Sequence, residues 1–298
     1  MEALKALGKP PFANYDIVVY FGGGLFALPF IYRYLIHPLG IPLSPIVMTE
    51  NHQVTLEIIR ALSLLMAVYV VGHLIAFLSS QLIEKAIDRY LGKVSTAIIV
   101  STKSSNEERD QKLRDIFVER CRNIKKDNAL LSSIVRAIFH FPNYLHYLFI
   151  WKTGIFGYLD SRVPPSAFSL AKEKYKLNVI EGEEVSEQTK WYKSLEYYII
   201  NNIPSAVPRM YNYLVMAGLF RSLGYIFLMS AWMVIFYLIG FLSFGTWPLG
   251  LTDHGTGDLS GLIELISLST ASVFSIMMYL KFQRRYAEEA ILALAFSN

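Results

Sequence analysis

The residues of this chain that could do chemistry fall into two groups. Arg33, Arg60, His73 and Arg221 interrupt apolar stretches, whereas Arg114, Arg122, Lys125 and Lys126 crowd a single polar stretch. Ionisable side chains inside a membrane are costly and face a bundle interior or an aqueous path. A ring of arginines at the outer mouth of a pore would favour anions. For Arg33, Glu57, Arg60 and Glu264 a plainer reading also stands. All four fall near the outer boundary, where long side chains reach the headgroups, and Glu57 can pair with Arg60 at i, i+3. His73 lies about seven residues in from Ser80, roughly 10 Å deep. It is read either as a lumen-facing group or as an interhelical packing contact. Arg221 sits at similar depth or at the inner headgroups, because twenty apolar residues already follow it.

The second group lies on residues 107–126, where Leu113, Ile116, Phe117, Cys121 and Ile124 repeat at helical spacing. Arginine and lysine on one face of such a helix could pair with phosphate oxygens. Nearby Tyr144, Tyr147, Trp151, Phe156 and Tyr158 could stack bases. The competing reading is a solvated face laced with ion pairs, since Asp110, Asp115, Glu119 and Asp127 interleave with the cations.

Catalytic signatures are absent. The chain has no GxxxxGK[ST], GxSxG, HExxH or CxxC. Its six histidines show no helical metal-ligand spacing, and the loop of residues 252–258 lacks the spacing of a calcium loop. The sequence therefore reads as a non-enzyme with no cofactor and no metal.

The elements that position these residues follow from hydropathy. Hydrophobic side chains make up 53% of the 298 residues and charged ones only 17%. The apolar excess is confined to four windows, at about residues 17–36, 54–90, 211–242 and 259–280. Each is long enough to cross a hydrocarbon core of about 30 Å. Between the second and third lies a polar block, residues 84–209, holding 20 of the 28 Lys+Arg. The two short loops, residues 37–53 and 243–258, hold no Lys or Arg, while the arm, block and tail together hold 25 of the 28. By the positive-inside rule the N-terminus, the block and the C-terminus are cytoplasmic.

The expected architecture is thus a mainly α membrane protein with four transmembrane helices. An arm (1–16), a first hairpin (17–83), a cytoplasmic domain (84–209), a second hairpin (210–280) and a tail (281–298) follow in order. The domain is expected to be mixed α+β or α-rich. Residues 94–102 and 176–182 read as short strands, residues 129–141 as a helix stopped by Pro142, and residues 186–202 as another helix. Residues 144–168, rich in aromatics and turn formers, are expected against the membrane face or a neighbouring subunit. The triplet Gly22-Gly23-Gly24 allows close backbone approach or local bending, and Pro29 predicts a kink.

Four spans are too few to enclose a solute path in one subunit. A conduit then requires a homo-oligomer, a tetramer or similar, gated through a ligand on the cytoplasmic domain. The alternative is a non-conducting anchor or receptor whose domain recruits a partner. With its paired hairpins, its basic helix and the arginine-bearing third span (residues 210–227), the layout resembles the small membrane effectors of bacterial anti-phage systems, notably the Hailong-type channel effector. That resemblance implies an oligomeric ion channel in the bacterial inner membrane whose opening depolarises it. It also implies a nucleotide or short single-stranded nucleic-acid ligand at the cytoplasmic domain.

Overall fold

A computed structural model describes residues 15–39, 54–90, 94–95, 130–153, 163–178, 188–244 and 259–297. Nearly all of them are helical. Helix α1, the span Asp16–Ile36, is α-wound over Gly22–Ile31 and π-wound at both ends. The second π segment starts three residues after Pro29, whose missing N–H leaves a gap in the i→i−4 ladder. Helix α2 (Val54–Ser79) passes through a π turn at Ser80–Glu84 into α3 (Lys85–Tyr90). Two ten-residue helices follow, α4 (Leu130–Phe139) and α5 (Tyr144–Thr153), and then α6 (Pro165–Asn178) and α7 (Gln188–Asn202). The last two, α8 (Val207–Phe244) and α9 (Leu259–Phe296), have 38 residues each. At 1.5 Å per residue each is about 57 Å long, nearly twice a hydrocarbon core.

Four segments are long and apolar enough to cross a membrane: Asp16–Ile36, Ile58–Arg89, Val207–Gly240 and Ser260–Phe296. This is a membrane-embedded, helical chain. Its apolar side chains follow the membrane rule rather than the soluble one, since Leu62, Met66, Val70 and Phe77 of α2 are all exposed.

The strand expectations do not hold where residues are described. Lys176, Leu177 and Asn178 complete α6, and Val94 and Ser95 are helical. Helical periodicity is the reason. Val163, Ala167, Ala171 and Tyr175 recur every fourth residue on the buried face, and the chain continues in that register. The remainder of both proposed strands lies outside the described residues. So does the helix expected at 107–126.

The chain divides into two compact units. The first comprises Met1–Ser80, Phe139–Tyr147 and Leu219–Ser275. In it, α1 meets α2 through glycine. A Cβ on Gly24 would overlap the carbonyl oxygen of Val68, and one on Gly72 would overlap that of Tyr20. Gly23 packs against Ser222 of α8. Further along, Tyr34 is buried with Ala231, Val234, Tyr237 and Leu268. The Tyr237 hydroxyl donates to the Tyr34 carbonyl at 2.6 Å, and Phe227 meets Phe26 and Phe30 edge to face. The second unit comprises Gln81–Ile138, Leu148–Gly218 and Ile276–Asn298. Its core joins α6 and α7 to the start of α8 and the end of α9, with Leu195, Ile199, Ala290 and Ile291 fully buried. Thus the residues of the expected tail continue α9 and fill this core.

Candidate functional site

Phe139–Tyr147, from the middle of the polar block, belongs to the first unit with the apolar runs. Its backbone turns because Pro142 cannot continue α4, and Phe141–Asn143 forms one tight 3-10 turn closed by Asn143 N–H to the His140 carbonyl at 3.0 Å. Three polar contacts fix this turn to α8 and α9. The Trp232 indole N–H donates to the Phe139 carbonyl at 2.7 Å. Asn143 Nδ2 donates to Ser272 Oγ at 2.8 Å, and that hydroxyl donates to the Gly224 carbonyl at 2.9 Å. His146 Nε2 lies 3.0 Å from Thr270 Oγ1.

Depth can be counted along both long helices. Trp232 is twelve residues before Phe244, and Ser272 thirteen after Leu259. At 1.5 Å per residue these are roughly 18 and 20 Å from the two adjoining helix ends. Two independent helices therefore place the turn at the same level, within the apolar runs. The groups gathered there are His140, Asn143, His146 and Tyr147, with the Tyr147 hydroxyl 3.2 Å from His140 Nδ1 and 3.4 Å from Asn143 Nδ2. Asn143 is fully buried, yet its Oδ1 finds no protein partner among the described residues, nor does the buried Nδ1 of His146. Apolar side chains flank the turn on both legs, with Leu131, Ile138, Leu145 and Phe149 all more than half exposed.

The four sequence candidates in the apolar runs are not gathered around this turn. Arg33 pairs with Glu264 at 2.8 Å, tying α1 to α9, and its guanidinium sits 5.6 Å from the Tyr34 ring centroid. The Tyr34 hydroxyl donates to the same carboxylate. Arg60 is exposed on α2. His73 stacks on Tyr20 of α1 with centroids 3.7 Å apart and planes 21° from parallel, and its Nδ1 donates to the Tyr69 carbonyl at 3.1 Å. Arg221 is half-buried on α8, near enough to Tyr20 to act on it electrostatically. Arg114, Arg122, Lys125 and Lys126 lie outside the described residues, as do Phe156 and Tyr158.

Asn143, His146, Thr270 and Ser272 were not singled out from sequence. One signal was available: a Pro-Asn pair flanked on each side by about ten mostly apolar residues, inside an otherwise charged block. No family model, no curated protein and no solved structure matches this chain.

Proposed function

We propose that this chain is the subunit of a homo-oligomeric membrane channel, a tetramer or similar ring, controlled from the cytosolic side. The observation that carries the reading is the break between α4 and α5, where the α-helical backbone is interrupted over the segment His140–Asn143 at the level of the apolar runs. Such segments are tolerated at membrane depth only where they are buried in protein or line an aqueous cavity. An unsatisfied polar group in hydrocarbon costs several kcal/mol, and this turn has two buried polar atoms with no partner among the described residues. Water or a permeating ion reaching Asn143 Oδ1 and His146 Nδ1 removes that cost. With the polar block on the cytosolic side, the turn enters from that side and returns to it, and neighbouring copies bring their turns together around a shared axis.

Arg33 supports anion preference less than its position suggested, because Glu264 neutralises it. Of the described arginines in the apolar runs, Arg60 and Arg221 remain as candidates for a cationic field in the conduit. Control by a nucleotide or oligonucleotide at Arg114, Arg122, Lys125 and Lys126, and a role as an anti-phage effector of the bacterial inner membrane, belong to the same proposal through the resemblance above.

Purified oligomer in planar bilayers is expected to give unitary currents, and Asn143→Leu is expected to change conductance or open probability with the oligomer intact. A correctly assembled oligomer that stays silent under every nucleotide and oligonucleotide tried sinks the channel reading. A monomer in detergent favours the anchor instead. Charge reversal at Arg122, Lys125 and Lys126 is expected to abolish the nucleotide response alone.

A further inference from the structure

A cavity of about 240 Å³ opens in the second unit, walled by α3, α7 and the continuation of α9. It exceeds the ~150 Å³ cavity known to hold a benzene molecule. Its charge is the reverse of an anion pocket. Glu84 and Asp88 face it from consecutive turns before and within α3, and Glu196 faces it from α7, against one ammonium among the described residues, that of Lys193. Lys193 is exposed while the three carboxylates are half-buried. Three tyrosines, Tyr192, Tyr279 and Tyr286, supply the aromatic wall.

Two features point to a ligand rather than to an acidic patch. Tyr192 is more than nine-tenths buried, lines the cavity, and its hydroxyl has no hydrogen-bond partner among the described residues. The Tyr286 hydroxyl, by contrast, donates to Glu196, which fixes that carboxylate on the wall. An orphaned buried hydroxyl beside a positioned carboxylate is an arrangement completed by a hydrogen-bond donor. Among the described residues no three His, Cys, Asp or Glu side chains gather as metal ligands. The carboxylates are therefore spread around the wall rather than focused on a point, which suits a cation extended over several atoms. Its N–H groups would reach the carboxylates and Tyr192 Oη, and its remaining surface would lie on tyrosine rings.

We infer that this cavity binds a small organic cation bearing an amine or guanidinium group. The inference concerns a ligand of opposite charge to the one expected for the basic stretch at 107–126, and it does not depend on whether the chain conducts.

Calorimetry on the full chain in nonionic detergent tests it, with spermidine and agmatine as probes and ATP as the anionic control. Saturable binding of at least one amine, and no competition by ATP, is expected. Glu196→Gln and Asp88→Asn are each expected to weaken that binding by roughly tenfold or more, the size of a lost charge-assisted hydrogen bond. Glu196→Gln keeps a carbonyl oxygen for the Tyr286 hydroxyl, so an unchanged melting temperature separates lost charge from lost fold. Tyr192→Phe removes one oxygen only and is expected to weaken binding about threefold. The inference is overturned if the folded wild-type chain binds neither amine. It is equally overturned if binding is indifferent to both charge-removing variants, or if ATP displaces the amine.

Discussion

Burial sets the behaviour of Tyr192. Loss of water around the phenolate raises its hydroxyl pKa well above the ordinary value of 10.0, and the negative potentials of Tyr286 and Glu196 push the same way. Tyr175 moves in the same direction, its burial outweighing an opposing hydrogen bond with Ser194. In the unfolded chain both ionise near pH 10, whereas in the fold they hold their protons. Their contribution to stability is therefore full below about pH 10 and declines as pH rises beyond it. Thermal unfolding followed from pH 8 to 11 is expected to show a steeper alkaline loss in wild type than in Tyr192→Phe, and parallel curves would remove Tyr192 as a source. At this scale the sequence is read unevenly. Arg33 and His73 stand out because a charge or imidazole inside an apolar run is conspicuous. Asn143 does not, since an asparagine in a polar block looks ordinary until Ser272 is known to lie beside it.

Among the elements, α1 and α2 approach closely for a reason visible in two residues. Gly24 and Gly72 each leave room for a carbonyl of the opposite helix. Membrane helices gain no hydrophobic drive against lipid, so close packing between them has to come from small residues of this kind. Gly72→Leu is expected to force the helices apart at a cost of about 1–3 kcal/mol or more. The measurable results are a lower melting temperature and a broadened or aggregated peak on size exclusion, while Gly22→Ala, whose nearest contact is Ile17 O at 3.5 Å, leaves both nearly unchanged. A native profile for Gly72→Leu would show that the contact is dispensable. The triplet at 22–24 was readable as a site of close approach, but Gly72 was not, because a single glycine carries no record of what it faces. Likewise α9 runs on to Phe296 where sequence placed a separate tail. The apolar positions Ala287, Ala290, Ile291 and Leu294 hold the helical period across the basic break at Lys281, Arg284 and Arg285. Charge marks where a helix leaves the bilayer, not where it stops.

For the molecule as a whole, hydropathy made the four spans legible to within a few residues at most ends, because membrane crossing is set by length and composition alone. What it could not supply was the membership of Phe139–Tyr147 in the first unit. That depends on hydrogen bonds to residues far along the chain rather than on any local pattern. Sidedness rests on the lysine and arginine distribution, and the sole cysteine, Cys121, provides a direct probe of it. A membrane-impermeant maleimide is expected to leave Cys121 unmodified in intact spheroplasts and to label it in inverted vesicles. In a Cys121→Ser background, Thr252→Cys should show the opposite pattern, and the reverse result for either site would invert the topology.

The same turn also constrains how the protein is made. Its partners Trp232 and Ser272 lie 93 residues after Phe139 and 129 residues after Asn143. At about 5–20 residues per second, some 6–26 seconds pass between synthesis of Asn143 and synthesis of Ser272. Throughout that interval Ser272, which accepts from the asparagine at 2.8 Å, has not been made. The ribosome therefore delivers the turn before its seat, and α8 and α9 must be in the bilayer before Phe139–Tyr147 can take its place.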